Sequence, residues 1–234
     1  MSHKNTVICV TVINQNIIFI VMYIFKLFFS SATIMALMLT LVYPALEPVI
    51  VRAQVTDTVV VTQTVDAGIA ISSPSDITMT HLSTTQNSAV GSATWTVTTN
   101  NQAGYTLDVH ASTDPALQSG SEQFTDYTET SAGVPEVWNV VSAYEFGFSA
   151  YGTHVPAAWD TNTATDCIEG ANVPGVDLRW LGFNGTTDIE VASSSSETGT
   201  SGIASTICVA TEQDGVFAPS GVYTATITAT ATTQ

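Results

Sequence analysis

Strict alternation of apolar and hydroxyl-bearing side chains is the feature that most narrows what this chain can fold into. In residues 94–111, TWTVTTNNQAGYTLDVHA, Trp95, Val97 and Thr99 point to one side and Thr94, Thr96 and Thr98 to the other. Tyr105, Leu107, Val109 and Ala111 then alternate with Thr106, Asp108 and His110. Successive side chains of a strand point to opposite faces, so each run has one apolar and one wet face. The connecting residues 100–104 contain Gly and have a usual hairpin length. The two strands are therefore expected to pair as a hairpin, with other strands packing on its apolar face.

The pattern recurs along the chain. Residues 55–65 (VTDTVVVTQTV) place Val55, Val59, Val61 and Val65 on one face and read as a strand. Residues 69–71 and 76–79 read as short strands split by the turn cluster Ser72-Ser73-Pro74-Ser75. Residues 81–92 read as polar loop, and 112–143 as a long irregular excursion. In 144–151 (YEFGFSAY), Tyr144, Phe146, Phe148 and Ala150 share a face, and Gly147 marks a bulge or a close backbone approach. Residues 176–183 (VDLRWLGF), 188–192 and 204–212 read as further strands. The cleanest alternation is 221–232 (GVYTATITATAT), with Tyr223, Ala225, Ile227 and Ala229 facing in and Thr224, Thr226, Thr228 and Thr230 facing out. No helix-period segment follows Gln54. The expected fold is all-β, an antiparallel β-sandwich of immunoglobulin-like or Greek-key type. It occupies residues 54–234 as a single domain, preceded by an N-terminal signal or hydrophobic helix within residues 1–53.

Residues 17–29 and 32–42 are apolar runs separated by little more than Ser30-Ser31, with Lys26 inside the first. The triplet Val51-Arg52-Ala53 suits signal peptidase, so cleavage is expected after Ala53. The alternative is retention as a membrane anchor, because ~20 apolar residues suffice to span a bilayer. After the cut only Arg179 remains basic, against 19 acidic residues, a net charge of −18. A surface of that sign repels phosphate backbones and excludes nucleic acid as a partner. Its polar residues are mostly Thr, Ser, Asn and Gln, which suit half-exposed strands of extracellular proteins. Cys167 and Cys208 remain as an even pair in an exported chain, and a disulfide is expected between them.

The residues give little chemistry. G-x-S-x-G, H-E-x-x-H and C-x-x-C motifs are absent, and without a Lys after the cut there is no P-loop. His81, His110 and His154 lack metal-ligand spacing. No enzyme is expected, and no cofactor apart from calcium. Asp160, Asn162 and Asp166 offer hard oxygen ligands at alternating or nearby positions for that ion; the other reading of the same loop is a plain Asp/Asn/Thr turn. Trp138 and Trp159 lie in long loops and are candidates for stacking on sugar rings. The competing reading has them capping the open ends of the sandwich.

The closing run PSGVYTATITATAT, with TWTVTTNNQAGYTLDVHAS and AYEFGFSAYG, resembles bacterial secreted surface domains of the spore-coat-U and fimbrial type. A second resemblance is to WxL-type cell-wall-binding domains, although the tripeptides here are Trp95-Thr96-Val97 and Trp138-Asn139-Val140, without the Leu. Both imply a bacterial protein, secreted or held at the cell surface, with a structural or adhesive role and no catalytic residues. Its expected partners are other surface proteins or envelope polysaccharide, with self-assembly through residues 55–65 as a strand added to a neighbour's sheet. The alternative function is a carbohydrate- or calcium-binding extracellular module.

Overall fold

A computed structural model describes residues 54–161, 164–169 and 172–234. The expected signal segment and its cleavage point lie outside these residues. The chain divides into two compact units, Met1–Thr62 and Gln63–Gln234. In the first, the described residues 54–62 form no strand.

The second unit is all-β. Its strands are β1 (Ile69–Ile71), β2 (Ser88–Thr99), β3 (Tyr105–Ala111), β4 (Gln118–Ser119), β5 (Glu122–Gln123), β6 (Thr125–Asp126), β7 (Tyr144–Gly152), β8 (Ile189–Ser194), β9 (Ile203–Gln213) and β10 (Ile227–Thr233). One sheet has the order β1-β2-β9-β7-β6, antiparallel except for the parallel β6–β7 pair. A second has the antiparallel order β10-β3-β8, and β4-β5 forms a small ribbon. Among the described residues no helix is long and apolar enough to cross a membrane.

The expected 94–111 hairpin is corrected. Its two strands are real and its faces are as expected: Tyr105, Leu107, Val109 and Ala111 are fully buried, and so is Val97. But β2 pairs with β1 and β9, whereas β3 pairs with β10 and β8. Residues 100–104 carry the chain from one sheet to the other. Alternation says which face is apolar, not which strand lies alongside, and a crossing between sheets keeps both faces on the same core. The crossing is pinned by Asn101, whose side-chain amide donates to Gly104 O (3.1 Å) and Gln234 O (2.8 Å). Gly104 has φ 90°, and a Cβ there would lie 1.8 Å from the Ser194 carbonyl oxygen, so only glycine fits.

Both sheets feed one buried cluster. Val97, Phe146, Phe148, Ile207 and Val209 enter it from the five-stranded sheet, and Tyr105, Leu107, Val109 and Val191 from the three-stranded one. β7 and β9 are buried on their other face as well. There Cys208 and Ala210 join Tyr127, Trp138, Val140, Leu178 and Trp180, which arrive from the long excursions. Small residues on that face let the excursions approach. A Cβ on Gly147 would meet Tyr127 Cβ at 2.8 Å and Leu181 O at 2.9 Å, the close approach expected at this glycine. Ser149, fully buried, donates to Arg179 O at 2.6 Å.

Three more expected strands are corrected. Residues 176–183 make single bridges only, from Leu178 to Asp160, Trp180 to Glu136 and Leu181 to Phe148. Leu178 and Trp180 enter the second cluster while Leu181 and Phe183 enter the first, so the period of two breaks between Trp180 and Leu181. Residues 76–79 form no ladder; Ile77 and Met79 pack over Gly91 and the core instead. Residues 55–65 are not in a strand, and Val55, Val59, Val60, Val61 and Val65 are 77–90% exposed. Conversely, β2 begins at Ser88, within the stretch read as loop.

Candidate functional site

The Cys167–Cys208 disulfide is present, with Cα atoms 5.6 Å apart. It fastens an excursion to the middle of β9, beside the second buried cluster.

The tryptophans expected to stack on sugars are placed as packing residues. Trp159 is 4% exposed, with its ring 5.1 Å from that of Phe148, and offers no face to solvent. Trp138 is half-buried. Tyr127 stacks on it with ring centroids 4.5 Å apart, Trp180 meets it edge-on, and its indole N–H donates to Glu212 Oε2 at 2.5 Å. The Tyr127 hydroxyl donates to Val137 O and accepts from Asn139 N–H, each at 3.1 Å. Burial pushes its pKa up to about 12.

Of the expected calcium ligands, Asn162 lies outside the described residues. Asp160 receives the Ala164 N–H with both oxygens at 2.9 Å, and Asp166 Oδ1 receives the Ile168 N–H at 3.3 Å. These are turn-closing bonds. Among the described residues no group of three or more His, Cys, Asp or Glu is placed to hold a metal ion. The histidines are dispersed: His110 Nδ1 lies 2.7 Å from Asp188 Oδ1, His154 Nδ1 lies 3.0 Å from the Tyr105 hydroxyl, and His81 is exposed.

Two features were not foreseen. One is a groove of about 580 Å³ lined in part by Asp114, Asp126, Glu129 and Asp188, with Asn184 and Thr128. Asp126 Oδ1 accepts the Ala116 N–H at 3.0 Å, while Oδ2 is buried without a hydrogen-bond partner among the described residues. Burial, with the Asp114 charge adding to it, pushes this carboxyl up to about 6. Its neighbours come from well-separated stretches, so no local motif announced it.

The other is the edge of β10. The Ser112 N–H donates to Thr226 O, and the Gln234 N–H to Gly104 O. With the observed register, Thr228, Thr230 and Thr232 therefore turn their backbone groups toward β3. Ile227, Ala229, Ala231 and Thr233 turn theirs away, and among the described residues no strand is hydrogen-bonded on that side. β1 packs near β10 but is not bonded to it. The other edges are blunted. β1 and β6 are 3 and 2 residues long. β8 pairs across a register shift, carries Glu190, and its Ser193 N–H donates to His154 O. β10, ITATATT, is 7 residues long with no charge, no Pro and no bulge.

No protein-family model, curated protein or solved structure matches the chain.

Proposed function

We propose that this chain is an exported structural or adhesive protein of a bacterial surface, without catalytic activity, that acts by joining to other protein molecules through residues 55–65. In this reading its two sheets form an antiparallel β-sandwich of immunoglobulin-like or Greek-key type. Export of the domain beginning at Gln54 is supported by the disulfide, which belongs to oxidising compartments. It is supported too by a surface rich in Thr and Ser that carries one basic residue. The weak likeness to spore-coat-U and fimbrial domains points the same way.

The observation that carries the proposal is the exposure of the valines in residues 55–65. Val has a high strand propensity and a large apolar side chain. Five of them left in water on a backbone outside every strand form a segment suited to adding to a sheet edge. The test is light scattering on the full chain produced in an exporting host, over a range of concentrations. Concentration-dependent assemblies that disappear on deleting residues 55–65, with the disulfide and unfolding midpoint retained, support the reading. A protein monomeric at every concentration overturns it.

A further inference from the structure

We propose that the outer edge of β10 is the acceptor of this interaction, and that its occupant is the 55–65 segment of a second copy of this chain. The inference rests on the assembly reading above and specifies its surface and partner.

Backbone supply and demand match on the two sides. β10 presents the N–H and C=O groups of Ile227, Ala229, Ala231 and Thr233 away from β3, over a run of 7 residues. Residues 55–65 lie outside every strand. An added strand would turn three or four residues toward those groups, converting solvated backbone into a ladder.

The side chains match as well. Residues directly opposite in a ladder share a face. Ile227, Ala229 and Ala231 are half-buried on the core side, and Thr228, Thr230 and Thr232 are exposed. In residues 55–65 the odd positions hold Val55, Val59, Val61 and Val65, and Thr occupies all the even positions but 60. Pairing odd with odd sets valines beside the small Ala229 and Ala231, against the apolar flank of the core. The threonines then continue the Thr stripe outside. A shift by one residue would send the valines to water, so the register is specified.

The remaining edges favour β10 by exclusion. β1 and β6 are too short, and β8 carries a charge, a register shift and the His154 contact. No charge on β10 opposes the only acidic residue of the segment, Asp57.

The test uses the full chain in an exporting host. Ala229→Pro removes an N–H that points away from β3, a place where an edge strand tolerates proline. It is expected to keep the disulfide and the native unfolding midpoint while weakening assembly about tenfold or more. In parallel, preparations carrying Thr58→Cys, Thr62→Cys or Thr64→Cys are each mixed with Thr230→Cys protein and oxidised. At least one pair is expected to give a cross-linked heterodimer, and none with Glu190→Cys protein. If deletion of residues 55–65 abolishes assembly but Ala229→Pro assembles normally and Thr230→Cys captures nothing, this acceptor is wrong and the assembly reading stands. Cross-links formed only within one chain also overturn it. If native protein never assembles, both fall together. The cross-linking arm decides the matter should Ala229→Pro fail to fold.

Discussion

Asp126 receives the Ala116 N–H on Oδ1 at 3.0 Å, and its other oxygen, Oδ2, is buried with no donor to it among the described residues. The carboxyl is thus half served: one backbone bond favours the anion, and burial opposes it more strongly. The result is a pKa of about 6, above the value of 3.8 for a free aspartate.

The sign of the resulting pH dependence follows from proton uptake. Between pH 4 and 6 the folded chain binds a proton that the unfolded chain has already lost. Stability therefore rises as pH falls from 7 toward 4, and the full cost of the buried anion is present above pH 6. Burial raises Glu145 and Asp108 in the same direction. For Asp126, discounted for its solvent contact, the gain is about 1 kcal/mol. Urea unfolding at pH 5 and pH 7 measures it. Asp126→Asn keeps the acceptor for Ala116 and should shrink the difference between the two pH values. An unchanged difference would place the effect elsewhere.

The disulfide closes a loop between residues 41 apart in sequence, which the chain-entropy model values at roughly 4 kcal/mol. Cys208 also sits fully buried on β9 beside Ala210 and Trp180. Replacing both cysteines by Ala should lower unfolding stability by about 2–5 kcal/mol, read from denaturant titrations without reductant. Native protein treated with reductant should move toward the double variant, and a double variant as stable as native protein would contradict the assignment.

Gly147 is enclosed by Tyr127, Leu181 and Trp138, each within 3.0 Å of where a Cβ would stand. Gly147→Ala must push apart a backbone carbonyl and two stacked rings. The expected loss is about 1–3 kcal/mol, visible as a lower thermal midpoint and a changed tryptophan emission. Gly133→Ala makes a comparison with no such neighbours, although its φ of 75° adds some strain of its own.

What could be read in the sequence was facing, and what could not was pairing. The alternations in β3 and β10 declared their inward faces because a period of two leaves no other arrangement, whereas β9 is buried on both faces and shows no alternation. β3 nevertheless lies beside β10, more than a hundred residues away, and not beside β2 across a loop that looks like a hairpin. Residues 176–183 misled for a related reason: their apolar residues serve two clusters, and a window of eight residues cannot show that. Cys167–Cys208 was legible because the two cysteines that follow the expected cleavage point allow one pairing only. For Trp138 and Trp159 the sequence left two readings open, stacking on sugars and capping the sheets, since their burial depends on how the excursions return to β7. The groove around Asp126 left no local trace at all. The open edge of β10 did: an unbroken ITATATT has nothing in it to repel a neighbour.

Hydrogen exchange of the amides of residues 55–65, followed by peptide mass across a concentration series, tests the central claim most directly. In dilute protein these amides should exchange nearly as freely as those of an unfolded chain, because they are exposed and lie outside every strand. As concentration rises they should become protected together with Ala229 and Ala231, while β3 and β9 stay protected throughout. Residues 55–65 exchanging freely at every concentration, or protected already in the dilute monomer, would contradict it.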